Sequence, residues 1–325
     1  MNHWYGFGFL RPRGGAALVA GFLCWILLAP RGWVQAQQVP DSAFSPPIHD
    51  QAFESGTGPI VLIDEAHFNF HTAGGRYLTF ANLLRQDGYR VRASSVPFTR
   101  EALAEGDILV ISNALAEKNV DDWSLPTDPA FDEAEVEVVR DWVSAGGSLM
   151  LIADHMPMPG AAEALAAAFG VLFNNGFALN LEEGGGQITF RRSDGTLVDH
   201  VITRGRWEVE RVDSVTSFTG QAFWAPADVQ PILVIPENLS LLLPEVAWEF
   251  TEDTPRLSAT GMLQGAVLRY GEGRVAAFGE AAMFSAQLGG PDRLPMGMND
   301  PGAPQNYQFL LNVVHWLSGI SDGGG

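Results

Sequence analysis

Four short apolar runs constrain this chain more than any other feature: Ile60–Asp64 (IVLID), Asp107–Ser112 (DILVIS), Ser148–Ala153 (SLMLIA) and Arg274–Gly279 (RVAAFG). Each is continuously apolar over only a few residues and is bounded by polar or turn residues, which predicts strands buried on both faces. The stretches between the first three carry helical spacing. Tyr77, Phe80, Leu83 and Leu84 mark one helix, ended by Gly88. Val136, Val139, Trp142 and Val143 mark another, with starts offered by Asp128-Pro129 and Asp132 and a stop at Gly146-Gly147. Tyr89 to Ala93 reads as a further strand, residues 99–105 as a short helix and residues 160–169 as an Ala-rich helix. Strands alternating with helices predict a parallel sheet covered on both faces, a doubly wound α/β fold.

The period changes between residues 185 and 270. Gln187–Arg191, Thr196–Ile202, Val212–Phe218, Ile232–Ile235 and Gln264–Arg269 read as strands joined by Gly, Pro and Asp turns, a β-rich insertion into the same domain. The α/β rhythm then resumes and closes on an amphipathic helix, Tyr307–Leu317. One domain over 59–319 is therefore expected, with 320–325 a tail and the Pro-rich 37–58 (Pro40, Pro46, Pro47) a flexible lead-in.

Residues 1–36 contain no acidic residue and read as an export signal. Arg11 and Arg13 precede a 14-residue apolar run, Ala16–Ala29, which as a helix would reach roughly 21 Å against the roughly 30 Å of a bilayer core. Val34-Gln35-Ala36 supplies small residues for cleavage before Gln37, with an uncleaved anchor as the alternative. The expected destination is periplasmic or extracellular, without membrane insertion after cleavage. The chain carries 38 acidic residues against 19 basic, a net −19. That charge excludes a nucleic-acid partner. Cys24 is the single cysteine and lies inside the signal, so neither disulfides nor thiolate metal sites are expected.

The order of elements, with the GGSLMLIAD turn into a strand, resembles the class I glutamine amidotransferase-like superfamily, which implies a flavodoxin-like sheet. DEAHFNFHT (64–72), QGAVLRYGEGRVAAFGEAAMFSAQ (264–287) and MGMNDPGAPQNYQFLLNVVHWLSG (296–319) resemble an uncharacterised bacterial branch, the domain-of-unknown-function family 4350. The resemblance brings no established reaction, since related branches include amidases, sugar-utilisation proteins and non-enzymatic domains. Glutaminase activity needs a cysteine on a tight strand-to-helix elbow flanked by glycines. The corresponding segment here is Val110-Ile111-Ser112-Asn113-Ala114, without cysteine or glycine, and the chain is not read as a glutaminase.

In an open parallel sheet ligands bind beyond the carboxyl ends of the strands. Asp64, Glu65, His67, Asn69 and His71 follow the first strand, Asn113 the third, Asp154 and His155 the fourth, and Glu280 the last. Three imidazoles among carboxylates suit zinc or a similar divalent ion, with His67, His71, Asp154 and His155 as ligands and Glu65 or Glu280 as general base. Asp64, Asn69 and Asn113 would then contact substrate. Helix capping and loop hydrogen bonds are the competing use of the same residues. Gly74-Gly75, ahead of a helix, could present free backbone N–H groups to an anion. Core packing is the expected use of Trp207, Trp224 and Trp248, with sugar stacking the alternative. His315 is expected to be packed and hydrogen-bonded on the closing helix. Two functions remain open: an exported, metal-assisted hydrolase acting on a carbohydrate or cell-envelope component, or a non-catalytic binding or interaction domain using the same cleft. The sequence carries no signature of oligomeric state.

Overall fold

A computed structural model describes residues 38–182 and 185–323. The expected signal at 1–36 lies outside the described residues. The main sheet has seven strands: β1 (Ile60–Asp64), β2 (Arg90–Ser94), β3 (Ile108–Ser112), β4 (Ser148–Ile152), β5 (Gln230–Val234), β6 (Leu263–Tyr270) and β7 (Gly273–Phe278). Their order is β2-β1-β3-β4-β7-β6-β5. The first five in that order are mutually parallel, and the β6 and β5 pairings are antiparallel. The four apolar runs thus lie side by side at the centre. Every residue of β3 and β4 is buried, whereas β2, with Arg90 and Arg92, is largely exposed. A charged edge strand of this kind discourages pairing with another chain.

Helices α1 (Leu78–Gln86), α2 (Arg100–Leu103), α3 (Glu133–Ser144), α4 (Met158–Ala167), α5 (Val201–Arg204) and α6 (Asn306–Leu317) surround this sheet. Strand residues alternate between two cores. Val61, Ile63, Val110 and Ile152 pack with Phe80 and Leu84 of α1 and Phe309 and Val313 of α6. Leu62, Leu109, Ile111 and Leu151 pack with Val139 and Val143 of α3 and Leu165 of α4. The protein is a mixed α/β fold around a central, mostly parallel sheet with helices on both faces.

The β-rich stretch supplies β5 and β6 to the main sheet, a two-stranded ribbon (Ile188–Arg191 with Ser214–Ser217), and two strands of a three-stranded sheet (Phe177–Leu179, Ser240–Leu242, Arg256–Ser258). One expected strand is absent. Residues 196–202 run through a turn into α5, because His200 caps that helix: its Nδ1 accepts the Ile202 N–H at 3.2 Å while Thr203 Oγ1 accepts the His200 N–H at 3.0 Å. This reciprocal cap starts a helix where the apolar count alone favoured a strand.

The lead-in is also not loose. Val39–Pro40 pairs with Ala286–Gly289, and Phe44, Ile48, Ala52 and Phe53 pack against the core. The strap is anchored by buried Asp87, whose Oδ1 accepts the Ala52 N–H at 2.8 Å while its Oδ2 lies 2.6 Å from His315 Nε2. Gly88 (φ +94) lets the strap pass, since a Cβ there would lie 2.2 Å from Phe53 O. The apolar residues spaced through this Pro-rich segment explain why it docks. His315 is buried and hydrogen-bonded, as its helix position predicts. The first residues after 319 form a 3-10 turn, Ile320–Gly323, in place of a tail.

Candidate functional site

The carboxyl ends of β1, β3, β4 and β7 carry the residues singled out from sequence, but in three neighbourhoods and not one. The first centres on His67. Asp64 ends β1 fully buried, and its Oδ1 and Oδ2 lie 3.0 and 2.9 Å from His67 Nδ1. The opposite ring nitrogen lies 2.9 Å from Glu135 Oε1, on the first turn of α3. Phe98 and Phe131 flank the ring, with centroids 4.5 and 4.8 Å away. Burial pulls the His67 pKa down, but hydrogen bonds and charge from Asp64, then Glu135, outweigh it and leave it raised. Both ring nitrogens face carboxylates, so His67 clamps β1 to α3. Both nitrogens are engaged in this arrangement, and a metal would have to displace Glu135 to reach Nε2.

The second neighbourhood is a relay across β1, β3, β4 and β7. Asn113, just beyond β3, has φ 54, a left-handed conformation that Asn tolerates better than most residues. Its amide oxygen accepts the Asp154 N–H at 2.8 Å, and its amide nitrogen donates to His71 Nδ1 at 3.4 Å. That assignment places the His71 proton on Nε2. Burial, then the charge of Arg76, holds the His71 pKa well below its ordinary 6.5, so the ring is neutral. Tyr77 stands beside it, ring centroids 4.6 Å apart, and donates its hydroxyl to Ala281 O at 3.1 Å. Asp154 Oδ1 accepts the His155 N–H at 2.8 Å. Glu280, fully buried, accepts the Ala282 and Met283 N–H groups at 2.9 and 2.7 Å. Burial, then the charge of Asp154, raises the Glu280 pKa well above its ordinary value. Glu280 thus caps the 3-10 turn, and its surroundings favour the protonated form.

His155 forms the third neighbourhood. Its Nδ1 faces Met156 O at 2.8 Å, its ring stacks on Phe177 at 4.6 Å, and Trp248 meets it edge-on at 4.7 Å. Trp123 lies further out, 5.9 Å from the ring, and also 5.9 Å from Phe70. Glu65 points elsewhere, with Oε1 accepting the Ala73 N–H at 2.8 Å. Asn69 Oδ1 accepts the His67 N–H at 3.2 Å. Among the described residues, no three His, Cys, Asp or Glu side chains are gathered so as to hold a metal ion. The six residues expected to converge share one sheet edge without forming one donor set.

Three groups at this edge stand out because they are buried without a partner among the described residues: Asn69 Nδ2, His71 Nε2 and Arg76 Nε. Buried polar atoms ordinarily find partners, and orphans in one place call for an explanation. Arg76, Tyr77 and Glu135 were not among the residues expected from sequence. Asp132-x-x-Glu135 is a visible capping box, and the box forms, yet nothing in its spacing announces His67 as a third partner. Gly75 N–H donates to Thr72 O at 3.0 Å, so the Gly74-Gly75 turn consumes a backbone donor that an anion would need. Trp207, Trp224 and Trp248 are 59%, 49% and 39% exposed, which corrects the expectation of core packing. They lie in loops and bridges outside the sheet cores, where a large ring has only one side to bury.

No family model matches the chain, the domain-of-unknown-function family 4350 included, and no curated protein matches it. Solved structures do. The mmIFT52 N-terminal domain superposes with a TM-score of 0.54 at 13% identity, over 80% of this chain and 97% of that one. A ThuA-like protein from Bacteroides uniformis ATCC 8492 is similar with a TM-score of 0.44 at 13% identity, over 84% and 94%. The cytoplasmic protein STM1381 from Salmonella typhimurium LT2 gives 0.46 at 17%, over 79% and 98%. At such identity the first of these likenesses shows the fold alone.

Proposed function

We propose that this chain is an exported domain of the flavodoxin-like, amidotransferase-like type that recognises a small ligand, such as a carbohydrate, at the carboxyl edge of its sheet without covalent catalysis. The observation that carries this reading is Asn113. It occupies the left-handed position directly after β3 (φ 54), where a strand-to-helix elbow would raise a nucleophile in a catalytic relative. An amide there cannot attack a carbonyl, and its two ends are engaged by Asp154 N and His71 Nδ1.

Neighbouring Ser112 is a poor substitute. A serine nucleophile needs a base within hydrogen-bond reach, and the accepting nitrogen of His71 faces Asn113, not a hydroxyl. A metal-assisted hydrolase that used His67 as a ligand would need its Nε2 to leave Glu135. The half-exposed Trp248 ring beside His155 offers a face for a sugar ring at the rim.

Purified protein incubated with 4-nitrophenyl esters, 4-nitrophenyl glycosides and glutamine is expected to show no turnover above buffer. In a mono- and disaccharide series that includes sugar acids, at least one member is expected to change tryptophan fluorescence saturably. Ester or glycoside turnover that disappears in Ser112→Ala would overturn the reading.

A further inference from the structure

Arg76 is a half-buried cation without an anion. Its Nη1 donates to Phe70 O at 3.2 Å, its Cζ lies 3.7 Å from the Phe70 ring centroid, and its buried Nε has no partner. No acidic side chain among the described residues forms an ion pair with it, and burial lowers its pKa to about 10. The Asp154 and Glu280 carboxyls bear on Tyr77 and not on Arg76. Buried charges are ordinarily paired, because lost hydration has to be replaced by something of opposite sign.

Two further donors on the same loop share this condition. The Asn69 oxygen is taken by His67 N, which leaves Nδ2 buried and unpartnered. His71 accepts at Nδ1 from Asn113, which leaves Nε2 as an unpartnered N–H. All three orphans between residues 69 and 76 are therefore donors, and one belongs to a guanidinium, the group best matched to planar oxyanions. Phe70 ties them to the relay, since its N–H donates to Asn113 O at 3.0 Å while its ring carries Arg76.

We infer that the β1–α1 loop binds an oxyanion, a carboxylate or a phosphate, with Arg76 neutralising its charge and Asn69 and His71 donating hydrogen bonds. This deepens the recognition reading above by giving the ligand a charge. The net charge of −19 opposes long-range attraction of anions, so selection falls to these local donors.

The test is a calorimetric and melting-temperature titration of the purified protein with inorganic phosphate, glucuronate and glucose, at fixed ionic strength with chloride as balance. A saturable rise in Tm with phosphate or with glucuronate, absent with glucose and with chloride, is expected, and the stronger of the two identifies the anion. Arg76→Gln should weaken that response at least tenfold, and Arg76→Lys, which keeps the charge but not the fork, at least threefold. Should Arg76→Gln fail to fold, the lysine variant carries the comparison. No response to either anion, or one unchanged in the substituted protein, overturns the inference. Saturable glucose binding without an anion response would leave the recognition reading standing and remove this one. Ester turnover with an intact anion response would do the reverse.

Discussion

His67 Nε2 lies 2.9 Å from Glu135 Oε1, joining two residues 68 positions apart. With Asp64 on the other ring nitrogen, the contact fixes the first turn of α3 against the end of β1. Glu135 serves three groups at once: Oε1 also accepts the Phe98 N–H at 3.0 Å, and Oε2 accepts the Asp132 N–H at 3.1 Å. A residue expected from sequence as a metal ligand thus joins β1 to α3.

The strut gives a pH dependence of definite sign. His67 has a folded-state pKa raised above its ordinary 6.5, so its contribution is fully present below that value and is lost as pH rises through the folded value. His67→Gln should cost on the order of 3 kcal/mol at pH 6, because it strands buried Asp64. The gap between wild type and variant should narrow in urea melts taken toward pH 9. A gap that widens with pH would mean that the ring is neutral in the folded protein.

Glu280 acts in a lower window. Its raised pKa means that, above 4.5, the folded state keeps a proton the unfolded chain has released. Stability then falls as pH rises between 4.5 and the folded value, with a slope of up to about 1.4 kcal/mol per pH unit. Glu280→Gln should flatten this slope by up to one proton, at a cost of about 1 kcal/mol for the acceptor it loses. Parallel curves for the two proteins would show that Glu280 is ionised.

Asn113→Ala should destabilise the protein by about 2–3 kcal/mol. The substitution leaves the buried Asp154 N–H unpaired and places a Cβ without compensating polarity in a left-handed conformation. Asn113→Gly should recover about 1 kcal/mol of that loss, since glycine removes the conformational part alone. Chemical denaturation of the pair measures the split. Equal losses in both would assign the whole effect to the hydrogen bonds.

Asp87→Ala should free the strap as well as weaken the fold. It removes the acceptor of Ala52 N–H and the partner of buried His315, whose Nδ1 already lacks one. The expected cost is on the order of 3 kcal/mol, with protease cleavage between residues 41 and 57 appearing before any cut in the sheet. Simultaneous cleavage throughout would show that the strap and the sheet unfold as one unit.

The sheet was legible because a strand buried on both faces is a local property: IVLID, ILVIS and SLMLI are each four consecutive apolar residues with a polar residue only at one end. The same locality made Asp132 readable as a helix start and His315 as a buried residue. The β-rich stretch was less so, and residues 196–202 became a turn and α5 because a side-chain cap at His200 outweighed β propensity. The lead-in was misjudged for the opposite reason, since prolines signal looseness only when no groove receives the apolar residues between them.

From sequence alone came the four central strands and the edge at which polar residues gather, because strand ends in a parallel sheet must fall on one side. What each polar residue does there was decided by tertiary structure. Whether an imidazole bridges two carboxylates, like His67, or has its pKa lowered by burial, like His71, depends on which groups the fold brings within about 3 Å of it. Those partners lie on other strands and helices, and chain spacing carries no record of them. Arg76 shows the same division: its presence in the loop is written in the sequence, but only the fold shows that no carboxylate among the described residues comes to meet it.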